Sequence, residues 1–376
     1  MSHVLLAPDK FKGTLTAAEV AAHLSTGIRS VQPDAEIVVV PVSDGGDGLL
    51  DAAVEARFES VPVEARDASG TVHETRYVRR GSEAVVELAE VCGLSRYGGR
   101  ALDPLGASSR GVGEVVARAL ADGCTRVVLG IGGSASTDGG AGMLQALGAR
   151  PLDDSGEPVA DGGGALLDVV RLDLSALEPA LAHAEVVVAC DVTNPLTGPS
   201  GAAAVYGPQK GADEEQVRLL DRGLSHWADV VATATGADLR ETPGAGAAGG
   251  VGFGGLVLGA RLRTGAEVVF ELTRFEDALA DATLVVTGEG SLDEQTLHGK
   301  APARVAELAR SRGIPVVAVA GRCALDEARL RQAGFSASYS LTDEADAEEA
   351  MARPGPLLER IGARIAADLT AVVEES

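Results

Sequence analysis

Six short apolar runs punctuate the chain: VLLAP at 4–8, EIVVVPV at 36–42, RVVLGIG at 126–132, EVVVAC at 185–190, TLVVTG at 283–288 and PVVAVAG at 315–321. Gly, Pro or Asp bounds each of them, and their continuous β-branched character predicts strands covered on both faces, as in parallel sheets. Between the runs, apolar positions recur at helical spacing. The clearest case is AAEVAAHLSTGIRSV at 17–31, where Thr16 and Glu19 form a T-x-x-E capping box at the start and Pro33 ends the helix before the second strand. The same spacing predicts helices over roughly 48–57, 111–121, 140–148, 213–234, 301–312, 325–333 and 356–373. Strands alternating with helices predict an α/β protein.

The texture changes at 58–90, where alternation with a period of two surrounds a D-A-S-G turn and predicts antiparallel hairpins. Antiparallel sheet lying between an N-terminal βαβα unit and later βα units implies a discontinuous layout. Residues 1–64 and 270–376 are expected to form a Rossmann-like doubly wound domain, and 65–269 an inserted α/β domain with some antiparallel sheet.

A length of 376 residues accommodates two domains, and 45% hydrophobic residues with only 3% aromatics leave the packing to Ala, Val and Leu. The net charge of -23 argues against a nucleic-acid partner, which would need clustered Lys and Arg. It also means that an anionic substrate has to be drawn in by local cations. Cys92, Cys124, Cys190 and Cys323 are far apart and show no zinc spacing, and the sequence offers no targeting segment and no apolar stretch of ~20 residues. A reduced cytoplasmic protein without membrane association is the expectation, and homo-oligomerisation stays open.

Many of the 48 glycines stand at predicted strand ends beside Asp, Ser, Thr or Lys. Such loops can aim several backbone N–H groups at one anion near a helix N-terminus. GIGGSASTDGG at 130–140 fits this best, with Gly132 and Gly133 before the hydroxyls of Ser134, Ser136 and Thr137; a tight, capped turn is the plainer alternative. SDGGDG at 43–48 sets Asp44 and Asp47 at the end of the second strand, suited to Mg²⁺ or substrate hydroxyls or, more simply, to an Asx-turn. TGEGSLDEQTLHGK at 287–300 combines Glu289, flanked by Gly288 and Gly290, with Ser291, Asp293, Thr296 and Lys300, a neighbourhood that suits a magnesium nucleotide or, more simply, a solvated loop. Asp191 ends a strand just before the Asn194-Pro195 turn and could take a proton from a substrate hydroxyl, with Tyr206, Gln209 and Lys210 downstream; capping alone is the plainer alternative. In DKFKGT at 9–14, the capping box already satisfies the helix start, which releases Asp9 and Lys12 for the site, while strand-end alternation leaves Lys10 to solvent. GAGAAGGVGFGGLVLGA at 244–260 lacks polar side chains and is read as close helix packing. No Walker loop, no G-x-G-x-x-G after the first strand, no G-x-S-x-G elbow and no histidine triad is present.

Six segments in order resemble the bacterial type I glycerate kinases: APDKFKGTLTAAE, SDGGDG, GIGGSASTDGGAGMLQALGA, CDVTNPLTGPSGAAAVYGPQKGA, GAGAAGGVGFG and VTGEGSLDEQTLHGK. The likeness runs over nearly the whole chain. Where Lys10 and Asp47 stand, that family typically shows Ser and Glu, so both positions are set aside. The resemblance implies ATP-dependent phosphorylation of D-glycerate, at the 2-hydroxyl to give 2-phosphoglycerate and ADP, in glycerate and glyoxylate catabolism. It further implies two domains, one of them Rossmann-like and discontinuous, with the active site in the cleft between them.

Phosphoryl transfer asks for charge neutralisation and in-line positioning more than for covalent chemistry. Lys12 is therefore expected to hold the glycerate carboxylate or the transferring phosphoryl group, and Asp191 to serve as the base. Asp44 and Glu289 are expected at Mg²⁺ or substrate hydroxyls, and Gly132, Gly133, Ser134 and Ser136 at anionic oxygen. Asp9, Gly45, Gly46, Asn194, Lys210, Gly288, Gly290 and Lys300 complete the expected substrate- or phosphate-binding set. Two other readings stay open: a non-catalytic regulator that binds a sugar acid, and a kinase for a related hydroxy acid. The first would leave several carboxylates without a purpose, and no helix-turn-helix or basic face accompanies it.

Overall fold

The computed structural model describes residues 3–43, 48–99, 101–298 and 300–374, so Asp44, Gly45, Gly46 and Asp47 lie outside the described residues. In chain order the strands are β1 (His3–Pro8), β2 (Glu36–Val39), β3 (Glu59–Arg66), β4 (Val72–Arg80), β5 (Glu83–Glu87), β6 (Arg126–Gly130) and β7 (Arg150–Leu152). They continue with β8 (Arg171–Asp173), β9 (Glu185–Ala189), β10 (Arg261–Arg263), β11 (Leu284–Leu292), β12 (Val316–Cys323) and β13 (Ala337–Ser340). The chain divides into two compact units, Met1–Asp44 with Val269–Ser376, and Gly45–Val268.

The first unit holds a fully parallel sheet in the order β13-β12-β11-β1-β2. Strand order reverses between β1 and β11, which makes their carboxyl ends a topological switch point, the usual place for ligands in open α/β sheets. The helix Ala17–Val31 starts with the expected capping box, Thr16 and Glu19 each holding the other's backbone N–H. Its apolar face, with Val20, Leu24 and Ile28, joins Leu357, Leu358, Ile361 and Ile365 of the helix Pro354–Glu374 in one buried core. These helices approach so closely that a Cβ on Gly27 would strike the carbonyl of Glu359.

The second unit is built on a six-stranded sheet in the order β10-β9-β6-β5-β4-β3. β3, β4 and β5 pair antiparallel, as the alternation at 58–90 predicts, and Asp67 closes the D-A-S-G turn by accepting from the N–H groups of Ser69 and Thr71. β5 then pairs parallel with β6, and β6 with β9, so the hairpins extend the parallel strands in a single mixed sheet. The core on this sheet includes Val86, Val112, Val127 and Val188, and a second cluster surrounds Leu220, Leu224 and Trp227 of the helix Glu214–Thr235.

One expected boundary needs correction. The first crossing between the units falls at residue 44, against the 64 inferred from pattern. The physical reason is Glu87 at the end of β5, whose carboxylate accepts from Gly48 N–H and Leu50 N–H at 3.0 Å and thereby caps the helix Leu49–Glu55. That helix and β3 therefore belong to the second unit. Among the described residues, no helix is long and apolar enough to cross a membrane.

Candidate active site

In the first unit, the segment after β1 and the end of β11 lie side by side. Asp9 donates its N–H to Gly288 C=O at 2.8 Å, and its carboxylate accepts from Lys10 N–H at 2.6 Å. Phe11 and Leu15 pair across a tight turn that carries Lys12 outward, so Lys12 is exposed while Lys10 is half-buried. Lys10 is thus less exposed than Lys12, because the chain turns here instead of continuing the alternation of the strand. Gly290 faces the backbone of Phe11 and Lys12, where an added Cβ would sit 3.3 Å from Lys12 N. A Cβ on Gly288 would collide with Val319 C=O of the neighbouring strand β12. Both glycines therefore serve close backbone packing.

Glu289 is buried with both carboxylate oxygens engaged. Thr296 donates its hydroxyl to Oε1 at 2.6 Å, and Lys300 Nζ lies 2.9 Å from Oε2. No three or more His, Cys, Asp or Glu residues gather into a metal site among the described residues, and the other residue expected at the metal, Asp44, lies outside them. As arranged, Glu289 holds the Lys300 ammonium in place.

The second unit presents two glycine-rich loops that leave the neighbouring strands β6 and β9, joined at the register Gly130↔Ala189. The loop after β6 is pinned at its base, with Gly133 C=O accepting from Leu94 N–H and Ala135 N–H donating to Cys92 C=O. Gly132 is half-buried, and Gly133 is exposed with φ of 69°, a backbone conformation suited to glycine. Ser134 and Ser136 are buried, as is Thr137, and the hydroxyls of Ser136 and Thr137 find no partner within the protein. Such orphaned hydroxyls fit a loop built to receive further polar contacts.

Lys210 approaches this loop from beneath. It is only 2% exposed, and its ammonium donates to Ser134 Oγ at 2.8 Å and to Ser136 C=O. Burial pushes its pKa down to about 7, opposed by the attraction of Asp138. Asp138 is also fully buried, which raises its pKa against four donated hydrogen bonds, from Ser109 N–H and hydroxyl, both at 2.8 Å, and from the N–H groups of Gly140 and Gly142. Although it stands inside GIGGSASTDGG, Asp138 was not singled out from sequence. The available signal was a carboxylate directly before a Gly-Gly helix entry.

The loop after β9 carries Asp191, an exposed carboxylate whose Oδ1 accepts from Gly265 N–H at 3.0 Å. The Asn194 side chain is occupied in shaping this loop: its amide donates to Ser200 C=O at 2.8 Å and its oxygen accepts from Tyr206 hydroxyl at 2.7 Å. The segment after Gly244, read from sequence as packing, touches both loops. Gly246 N–H donates to Asn194 C=O at 2.9 Å, and Gly249 C=O accepts from Gly139 N–H at 3.0 Å. Ala248, Gly249 and Gly250 all have positive φ at the entry to the helix Ala247–Val257, and this lets the backbone pass between the loops.

These features define a two-unit α/β protein whose strand-end loops carry acids, cations and hydrogen-bond donors. The model of the glycerate kinase family matches residues 4–370, and the chain belongs to that family. It is 42% identical to the glycerate kinase of Bacillus subtilis (strain 168) over 373 residues, covering 97% of each chain. It is likewise 42% identical to the glycerate 2-kinase of Escherichia coli (strain K12) over 347 residues, covering 90% of each. A crystal structure of a protein assigned as glycerate kinase 2 from Salmonella typhimurium LT2 superposes with a TM-score of 0.90 at 39% identity, covering 99% of both chains. The protein is an enzyme, a kinase that phosphorylates glycerate.

Proposed function

We propose that the enzyme transfers the terminal phosphoryl group of ATP to the 2-hydroxyl of D-glycerate, giving 2-phosphoglycerate and ADP, and serves glycerate and glyoxylate catabolism. The observation that carries this reading is the pairing of loops on β6 and β9, one rich in N–H and hydroxyl donors, the other bearing the exposed carboxylate Asp191. The relative from Escherichia coli, named as a glycerate 2-kinase, supports the choice of hydroxyl.

The hydrogen bond from Gly265 N–H orients Asp191, which suits it to accept the proton of the attacking hydroxyl. Lys12, exposed at the switch point, is suited to the glycerate carboxylate, and Lys300, aligned by Glu289, to a phosphate oxygen. Asp9 and the backbone of Gly288 and Gly290 frame the turn that carries Lys12. Gly132, Gly133 and Ser134 would meet anionic oxygen. Mg²⁺ would accompany ATP and neutralise phosphate charge, with Asp44 and Glu289 as the carboxylates that would hold it.

Phosphorus NMR of the product from D-glycerate and magnesium ATP tests this directly. Phosphorylation at the 2-hydroxyl gives a phosphomonoester split into a doublet by the single C2 proton. A triplet would move the reaction to the 3-hydroxyl, and no new phosphomonoester would overturn the reading. Tartronate and erythronate, run in parallel, separate a kinase for a related hydroxy acid.

A further inference from the structure

Lys210 poses a physical problem. A lysine that meets a ligand should present its ammonium to the ligand, yet this one is 2% exposed and both of its hydrogen bonds run into the floor of the loop at 131–140. Burying an ammonium costs more than burying an apolar chain of equal length, so packing alone does not account for it. The surroundings are fitted around the charge: a Cβ on Gly249 would lie 2.8 Å from Nζ, and the carboxylate of Asp138 attracts the ammonium.

The direction of one hydrogen bond supplies the answer. An ammonium has three donors and no acceptor. When Lys210 donates to Ser134 Oγ, that oxygen acts as acceptor towards the interior, and the Ser134 hydroxyl proton must point elsewhere. We infer that Lys210 is a positioning residue: it fixes Ser134 as a hydrogen-bond donor to the anionic oxygen received by this loop, holds the loop through Ser136 C=O, and touches neither substrate nor nucleotide. This rests on the proposed role of the loop in binding substrate or phosphate oxygen. Two features make it testable: the effect runs through Ser134, and the loop carries an internal reporter. Trp227, the single tryptophan, donates its indole N–H to Gly139 C=O at 3.1 Å.

The experiment compares Lys210→Met, Ser134→Ala and the double variant with the wild-type enzyme, each assayed with D-glycerate and ATP. Lys210→Met keeps the apolar volume and removes the donors. Each single variant is expected to lose about 10²-fold or more in kcat/KM, the scale of one preorganised donor. The double variant should be no slower than the slower single variant, because both changes remove the same hydrogen bond. In addition, Trp227 emission should shift in Lys210→Met without any ligand. Wild-type kcat/KM in Lys210→Met overturns the inference, and so do losses that multiply in the double variant, the mark of a lysine in direct contact with substrate. If Lys210→Met fails to fold, Ser134→Ala decides alone: unchanged kcat/KM there overturns the proposal. A wild-type enzyme inactive on D-glycerate would strike the functional reading instead, and the emission of Lys210→Met would then judge the strut, a shift supporting it and no shift refuting it.

Discussion

At the scale of single residues, chemical type was legible and orientation was not. Asp191 could be picked out as a carboxylate at the end of an apolar strand just before Asn-Pro, a position that capping also explains. The structure adds the Gly265 N–H that orients it. Substituting Asp191 by Asn should lower kcat by about two to four orders of magnitude, the usual weight of a general base, while leaving nucleotide affinity within about threefold. Steady-state kinetics beside a nucleotide titration checks this, and near wild-type kcat would remove Asp191 from the role. Lys210 and Lys300 show the opposite case. Both are expected at substrate or phosphate; in the fold one ammonium is turned inward to Ser134, and the other, proposed for a phosphate oxygen, is held by Glu289. Where a long side chain points is decided by contacts remote in sequence, and no local pattern carries them.

At the scale of elements, periodicity identified the parallel strands and long helices because covered strands and amphipathic helices have distinct apolar spacings. The short strands β7, β8, β10 and β13 left no such trace, being three or four residues long and stabilised by their neighbours in the sheet. Glycines inside helices were equally silent. Gly27 stands in the middle of a strongly amphipathic helix, where propensity alone would favour alanine. Its reason is the carbonyl of Glu359 on the helix Pro354–Glu374, which leaves no space for a methyl group. Gly27→Ala is accordingly expected to destabilise by about 1–3 kcal/mol despite its better propensity. Urea unfolding of the two proteins measures the difference, and a stabilised variant would show that the helices part without cost.

At the scale of the whole molecule, each unit has a hydrophobic core of its own, and the single tryptophan lies in the second. Trp227 emission therefore reports the second unit, whereas far-UV circular dichroism reports both. Their urea transitions should not coincide, and superimposable curves would show that the two units unfold as one cooperative block. The sequence by itself determined the α/β class, the antiparallel insertion, the family and the loops proposed to carry chemistry, because these depend on local periodicity and on residue types at strand ends. Only the tertiary structure decided that the helix after residue 48 belongs with the second unit, since its cap is Glu87 from another strand. Likewise it decided that a glycine stretch without polar side chains threads between two loops, and that a lysine expected at phosphate lies beneath its loop. Each of these depends on hydrogen bonds and close approaches between segments far apart in the chain, which acquire meaning only once the backbone has brought them together.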